Sequence, residues 1–239
     1  MVVGLLTATS FFLLSAGRAL AADFPPFLTD PESFTAEIRA EIVAVWSRHT
    51  FARTVTGEPA RAPLELYRLF VDAPEVVAAA ARHLGLVKYQ VRQLGPDFYE
   101  ADDGEGAKGS YRVIAREPHR RVMLTRGSHS GHVLGWVQGA SLTILTFEPE
   151  TRADRAPQIA QQVETFVRID NPMAALLARV FLPLFMGYAD RRIAETFNVT
   201  AQISQWAYGE PTTFCRWLGG RPEGARHRGE FAPVLPACN

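Results

Sequence analysis

The stretch PMAALLARVFLPLFMGYADRRIAETFNVTAQISQW, residues 172–206, decides the fold of this chain. It follows Asn171, a residue type that caps helices, and it begins with proline, whose backbone geometry suits the first helical position. Apolar side chains then recur every three or four residues, which is the spacing of one helix face. The stretch therefore predicts a single long helix near the C-terminus.

The first half of this helix, residues 173–188, is apolar nearly all round. Arg179 is its only charged residue, so protein, ligand or lipid must cover this half. The charge and Pro183 interrupt a run that is already short, which argues against a membrane span, and the proline predicts a bend. After Tyr188 charged residues return, and the second half has one polar face.

The chain before this helix changes from helical spacing to a period of two. Helices are predicted at residues 32–46, 64–71 and 74–84. Strands are predicted at residues 49–56, 87–92, 98–101, 111–116, 121–126, 132–138, 140–147 and 159–169. The short turns between the later strands indicate antiparallel pairing. The sequence thus predicts an α+β fold, in which a first strand and two short helices precede an antiparallel sheet with one wet face.

Two turns contain residue types that bind metals. Residues 127–131 are predicted to form a turn. His129 lies in it and His132 directly follows it, three residues later, but no third ligand is identifiable nearby. A polar turn is therefore favoured over a metal site. The second turn lacks the spacing of a calcium loop and is predicted to be a solvated hairpin tip; its acids are Asp102, Asp103 and Glu105.

The order of elements, together with residues 64–77 (LELYRLFVDAPEVV), resembles the START/polyketide-cyclase superfamily, also called SRPBCC. Within this stretch Asp72 and Glu75 have the spacing of a capping box at the start of the second short helix. The resemblance covers residues 48–206 and implies a helix-grip fold, in which a curved antiparallel sheet wraps around the long C-terminal helix. It also implies an apolar cavity between the two, and residues 173–188 are the stretch apolar enough to cover the sheet.

Aromatic side chains with a polar edge suit an amphipathic ligand in such a cavity. The candidate ligand-binding residues are six such aromatic residues together with one arginine and one histidine. They are Tyr89, Tyr111, Arg112, His132, Trp136, Phe181, Phe185 and Tyr188. Arg112 and Arg116 have the same strand parity, so we expect them to share one face. A solvated outer face is favoured for them, and the alternative is that they receive an acidic ligand headgroup or an anionic lipid surface. For the aromatic residues the alternative is plain core packing.

The N-terminus has the pattern of an export signal. Residues 2–16 are apolar, and residues 19–21 have the small-x-small pattern of a cleavage site. No positive charge precedes the apolar run, so an uncleaved membrane anchor is the alternative. The predicted organisation is a signal peptide (1–21), an N-terminal extension with a short helix (22–47), a START-like domain (48–209) and a C-terminal tail (210–239). The protein is expected to be periplasmic or secreted, in a bacterium.

Cys215 and Cys238 are the only cysteines. In an exported protein an even pair predicts a disulfide, which would hold the tail against the end of the long helix. Two free thiols are the alternative, because the sequence does not establish a geometry that permits bonding.

The composition and the motifs exclude several classes of function. The chain has 25 basic and 25 acidic residues, so no overall charge points to nucleic acid as a partner. No phosphate loop, dinucleotide fingerprint or nucleophile motif occurs, and neither a cofactor nor a metal is predicted.

The export signal and the resemblance together imply an exported START-like protein that binds or carries a hydrophobic small molecule, of the lipid or isoprenoid class, between the sheet and the long helix. One alternative is a cyclase- or hydrolase-type enzyme that uses the same cavity, with His132 or Glu164 beside a partner of shifted pKa. Another is a membrane-associated accessory protein that contacts lipid or another subunit peripherally through residues 173–188. The sequence leaves the oligomeric state open.

Overall fold

The computed structural model describes the backbone of residues 24–131, 135–150 and 156–239, and their side chains apart from those of residues 179–186, 188, 189, 192 and 223. The α-helices are α1 (Ala36–Arg48), α2 (Leu64–Asp72), α3 (Pro74–His83), α4 (Pro172–Gly209), α5 (Pro211–Gly219) and α6 (Pro222–Phe231). The strands are β1 (Phe51–Thr56), β2 (Gln90–Gly95), β3 (Phe98–Asp102), β4 (Ala107–Glu117), β5 (Arg120–Gly131), β6 (Gly135–Glu150) and β7 (Gln158–Ile169). Short 3-10 helices lie at Pro31–Ser33 and Pro236–Cys238.

All seven strands form one antiparallel sheet in the order β1-β7-β6-β5-β4-β3-β2. Gly109, Gly127 and Gly139 lie side by side across β4, β5 and β6. A Cβ atom on Gly109 would lie 2.5 Å from the carbonyl oxygen of Arg126, so only glycine permits this close approach of neighbouring strands. The curved sheet and the 38-residue helix α4 confirm the predicted α+β, helix-grip architecture.

The C-terminal half of α4 packs in the core. Val199, Ile203 and Ala207 belong to one core cluster with Val76 and Ala80 of α3. Nearer the sheet, residue 197 of the same helix lines the space above the concave face. This half holds the helix in place, because α2, α3 and the C-terminal tail surround it.

The N-terminal half of α4 has the opposite environment where its side chains are described. Met173, Leu176 and Leu177 are exposed although the stretch is almost uncharged. Among the described side chains, the cover of the sheet therefore comes from the second half of the helix. The prediction that residues 173–188 supply this cover stays a prediction, because the side chains of residues 179–186 and 188 lie outside the described part.

The outer face of β5, β6 and β7 is also covered, by the N-terminal extension. Ile42 of α1 is fully buried in one cluster with Leu142, and the ring of Trp46 lies 4.7 Å from that of Phe166, centroid to centroid. The prediction of a sheet with one wet face is wrong for these strands. Residues 122–124, Val-Met-Leu, are apolar on both faces, which is the pattern of a strand buried on both sides.

Two strand boundaries also differ from the predictions. Residues 127–131 continue β5 instead of turning, and β6 is one strand where two were expected. Gly127 and Gly139 resemble turn residues in sequence, but here they allow neighbouring strands to approach closely. Strand β2 begins at Gln90 and not at residue 87.

The predicted capping box at α3 is wrong. The residue at the N-cap is Ala73, and no side chain caps the helix. Asp72 instead accepts hydrogen bonds from Arg121, and Glu75 forms an ion pair with His227 at 2.8 Å. Long-range partners therefore outcompeted the local backbone for both carboxylates.

The C-terminal tail forms α5 and α6, two helices that were not predicted from its many glycine, proline and arginine residues. A disulfide joins Cys215 and Cys238, as predicted. The rings of Phe214 and Phe231 lie 5.4 and 5.0 Å from the ring of Phe70 in α2. The tail is thus part of the core that supports α2 and α4.

Candidate ligand-binding cavity

A cavity of about 560 Å³ lies between the concave face of the sheet and α4. This volume falls within the range of about 300–1,000 Å³ that is typical of small-molecule sites. Most of the described lining is apolar, and it includes Phe70, Val77, Val91, Val113, Met123, Val137, Leu145, Val167 and Phe197. The cavity could therefore exclude water from a ligand over most of its surface.

Strand alternation explains which residues reach the cavity. Tyr111 and Val113 of β4 face it, as do Met123 and Thr125 of β5, whereas Leu124 packs on the outer side. Gly109, Gly127 and Gly139 lie in the same wall, where their strands present no side chain to the cavity. Large side chains around these glycines, which have no side chain of their own, leave a hollow instead of a solid core.

Three tyrosines lie together on one side of the cavity. Tyr89 and Tyr111 line it, and the ring of Tyr99 stacks on that of Tyr111 with centroids 5.1 Å apart. Burial raises the pKa of Tyr89 to about 12 and raises the pKa of Tyr111 well above its usual value. Both hydroxyls stay protonated at neutral pH, so they can donate hydrogen bonds to a ligand but cannot act as bases.

The cavity opens at the end of the sheet that carries the β3–β4 hairpin, the end of β5 and the start of β6. The lining residues His129 and Gln138 are exposed there, whereas Phe70 and Leu145 at the other end are buried. A ligand would therefore lie with its apolar part beside α2 and its polar part at the opening.

Two aspartates of the β3–β4 hairpin stabilise it through an ion pair and hydrogen bonds. Asp102 forms an ion pair with Lys108 at 2.8 Å, and the hydrogen bond from Lys108 lowers the pKa of the Asp102 carboxyl group. Asp103 accepts hydrogen bonds from the backbone N–H groups of Glu105 and Ala107, at 2.7 and 2.8 Å. These contacts form the predicted hairpin.

One charged residue lies within the apolar wall. The side chain of Arg121 is 5% exposed, and its Nε and Nη2 atoms each lie 2.8 Å from a carboxylate oxygen of Asp72. The guanidinium group also lies 5.4 Å from the ring centroid of Phe147. Its charge is neutralised within the protein, so this arginine joins the wall to α2 and is not a free anion receptor.

The predicted ligand-binding residues have different locations. Tyr89 and Tyr111 line the cavity, whereas Trp136 is exposed and is not among the described lining residues. His132 lies outside the described residues. The side chains of three further candidates in α4 also lie outside the described part; these are Phe181, Phe185 and Tyr188. Their ligand-binding roles stay predictions.

The two arginines of β4 do not share a face, contrary to the expectation. Arg112 lies on the outer side, where its guanidinium carbon is 4.8 Å from the ring centroid of Phe98. A β-bulge after Val113 shifts the register with β5. The extra residue reverses the facing of the strand beyond it, and Arg116 forms an ion pair with Asp72. The pair cannot form one headgroup site.

Several lining residues were missed in the sequence, among them Met123, Thr125, Thr143 and Leu145. Strand parity could have identified them, since they alternate along β5 and β6. Glu164, considered above as a catalytic acid, has the parity of Phe166 and lies on the outer side of β7.

Within the described ranges, no group of three metal-ligating side chains occurs. Likewise, none of the helices in the described part of the chain combines the length and the apolar character that crossing a membrane requires.

No protein-family profile and no curated protein sequence matches this chain. Among solved structures, an uncharacterised protein from Rhizobium leguminosarum is similar, with 14% identity and a TM-score of 0.38 over 64% of this chain and 97% of that chain. Ara h 8.0201 is 12% identical, with a TM-score of 0.34 over 64% of this chain and 95% of that chain. BexL, a di-domain ARO/CYC protein of the BE-7585A biosynthetic pathway, is 14% identical, with a TM-score of 0.37 over 67% of this chain and 52% of that chain. Similarity at this level carries no functional argument.

Proposed function

We propose that this protein binds a hydrophobic small molecule, of the lipid or isoprenoid class, in the cavity between the sheet and α4, after export from a bacterial cytoplasm. The observation that carries the proposal is the apolar cavity of about 560 Å³. Burial of apolar surface contributes roughly 25 cal/mol per Å². A ligand that buries about 300 Å² would gain roughly 7 kcal/mol before the costs of association.

The polar groups of the wall favour binding over catalysis. Arg121 is neutralised by Asp72, and Asp102 is paired with Lys108. The hydroxyl of Tyr111 stays protonated, so it suits a hydrogen bond to a ligand better than proton abstraction. A mainly apolar ligand with one hydroxyl or carbonyl group matches this wall.

The proposal is tested on protein recovered from the periplasmic fraction of a bacterial host, where the mass of its N-terminus reports whether residues 1–21 are removed. Native mass spectrometry and organic extraction should then find a co-purifying apolar molecule. Thr125→Phe places a ring in the cavity, and we expect it to lower the affinity for an apolar fluorescent probe at least about tenfold. Thr54→Phe makes the same change on an exposed position of β1, and it should leave the affinity unchanged.

Thr54→Phe also controls for a general effect of an added ring. Wild-type protein that neither carries an extractable molecule nor binds the probe would contradict the proposal. Equal probe affinity in wild type and Thr125→Phe would show that the probe binds elsewhere, and would also contradict it.

A further inference from the structure

A second concave site, which we call the outer groove, lies on the outer face of the sheet beside the part that α1 covers. Its volume is about 500 Å³. Arg126 lines it two residues after Leu124, and Gln138 lines it two residues before Ala140. Leu124 and Ala140 pack in one cluster with α1, and every second residue of a strand faces the same side. The outer groove is therefore the uncovered remainder of this face.

The floor of the outer groove carries no side chains. It is formed by Gly109, Gly127 and Gly139, the glycines that also lie in the wall of the cavity. The groove and the cavity thus lie on opposite faces of the same three strands. Asp102 and Lys108 border both sites, because they lie at the end of the sheet where the cavity opens. A floor without Cβ atoms lets a ligand approach the strand backbone closely.

Three uncharged polar side chains in the groove are available to a ligand. In the part of the chain that the structure describes, Ser110, Ser128 and Gln138 have no side-chain hydrogen bond within the protein. A hydroxyl group can donate and accept hydrogen bonds, and so can a side-chain amide. The groove therefore suits a ligand with several neutral hydrogen-bonding groups.

The five charged side chains among the described lining of the groove all have ion-pair partners. The pairs are 2.6 to 2.8 Å long and consist of Glu100 with Arg92, Asp102 with Lys108, Arg126 with Glu41, and Asp170 with Arg168. A ligand held by charge complementarity would need charge that is not already compensated. The carboxylates keep lone pairs that can accept hydrogen bonds from hydroxyl groups.

An exposed indole ring lies beside the groove. Trp136 is 64% exposed and precedes Gln138 by two residues in β6, so both side chains are on the outer face. Its pairing partner in β5 is Ser130, two residues after Ser128. An indole ring has a large apolar face, which can pack against the C–H face of a sugar ring while polar neighbours bind the hydroxyl groups.

We propose that the outer groove binds a short uncharged oligosaccharide, with one sugar ring packed on Trp136 and its hydroxyl groups hydrogen-bonded to Ser128 and Gln138. This site is separate from the cavity, and it does not depend on the proposed function. An apolar ligand in the groove would leave these polar groups without partners. An extended peptide would need a free strand edge, whereas the groove lies on the face of β4, β5 and β6 within the sheet.

Isothermal titration calorimetry of the periplasmic protein with maltotriose, cellotriose and chitotriose tests the proposal. We expect at least one of these uncharged trisaccharides to bind, with an affinity that does not change when the salt concentration is raised. Trp136→Ala should lower this affinity at least about tenfold. Ser128→Tyr keeps strand propensity but fills the groove, and it should have a similar effect. The matched control is Tyr208→Ala, which removes an exposed aromatic residue at the far end of α4 and should have no effect.

The apolar fluorescent probe, measured on the same proteins, separates this proposal from the proposed function. Trisaccharide binding that Trp136→Ala weakens, with probe affinity unchanged, supports the outer site. A wild type that binds the probe but none of the three sugars overturns the outer site and leaves the proposed function intact. A wild type that binds a sugar but no probe overturns the proposed function alone. Sugar binding that the probe displaces, or that Trp136→Ala leaves unchanged, would place the sugar elsewhere and overturn the outer site.

Discussion

The two ends of α4 have different environments where their side chains are described. The N-terminal half is the more apolar in sequence, yet Met173 and Leu176 are exposed. The C-terminal half carries more polar residues, yet Ile203 and Ser204 are fully buried. The C-terminal half is therefore buried by the partners that surround it and not by its composition.

The partners of the buried half come from distant parts of the chain. Helices α2 and α3 contribute Phe70 and Val76, and the tail contributes Phe214 and Phe231. The hydroxyl of Ser204 is satisfied within the helix, since it donates to the carbonyl oxygen of residue 200 at 2.7 Å. The buried half can therefore carry polar residues.

The sharpest test of this contrast truncates one aliphatic side chain in each half. Ile203→Ala removes a fully buried side chain and should lower the free energy of unfolding by about 3.5 kcal/mol. Leu176→Ala removes an exposed one and should change it by less than about 0.5 kcal/mol. Urea denaturation followed by tryptophan fluorescence measures both. Equal losses in the two variants would mean that the first half is also covered in solution.

Much of the fold was predictable because the periodic patterns are strong. The strands, the two short helices and α4 appear in the predicted order, with α4 beginning at Pro172 after Asn171 as expected. The tail helices were not predictable from local pattern, since α6 has glycine within it and gains its stability from the core cluster. Burial of the outer sheet face was also missed, because it depends on where α1 packs.

The candidate site was less predictable than the fold. Tyr89 and Tyr111 could be found because they alternate with polar neighbours. The facing of Arg116 relative to Arg112 could not be predicted, since one bulged residue after Val113 reverses the facing along β4. The role of Asp72 depends on Arg121, 49 residues away. No local spacing reports such a contact, and the sequence suggested a helix cap instead.

The next largest effect on the free energy of unfolding is expected for the C-terminal tail, which packs on the C-terminal half of α4. The disulfide between Cys215 and Cys238 spans 23 residues of sequence. Replacing both with serine should lower the free energy of unfolding by about 3 kcal/mol, through the lost constraint on the unfolded chain. Thermal unfolding of the variant, and of wild type with and without reductant, measures this. The reductant should leave the variant unchanged, and a variant as stable as oxidised wild type would refute the prediction.

The smallest expected effect concerns the ion pair that joins α6 to α3. The Nε2 atom of His227 lies 2.8 Å from Glu75, whose side chain is 1% exposed. The hydrogen bond with Glu75 raises the pKa of His227 against the effect of burial. Burial opposes the charge of Glu75, but the hydrogen bond from His227 still leaves its pKa lowered. Both groups are therefore charged in the folded protein over a wider pH range than in the unfolded chain.

The sign of the pH dependence follows from these two directions. The contribution of His227 is complete below its ordinary pKa of 6.5 and is lost as the pH rises through its higher folded value. The contribution of Glu75 is complete above its ordinary pKa of 4.5 and is lost as the pH falls through its lower folded value. The tail should therefore be held most firmly between pH 4.5 and 6.5.

Replacing His227 isolates this pair. His227→Gln should lower the free energy of unfolding by about 2 kcal/mol at pH 6, the loss of a hydrogen bond between charged groups, and should flatten the decline above that pH. Glu230→Gln is the matched control, because Glu230 contacts the other ring nitrogen at 2.9 Å but is 58% exposed, so its loss should cost less than about 0.5 kcal/mol. Urea denaturation across the pH range measures both. If the free energy of unfolding declines above pH 6 equally in wild type and His227→Gln, the decline belongs to another group. Apolar contacts and the disulfide would then be what holds the tail.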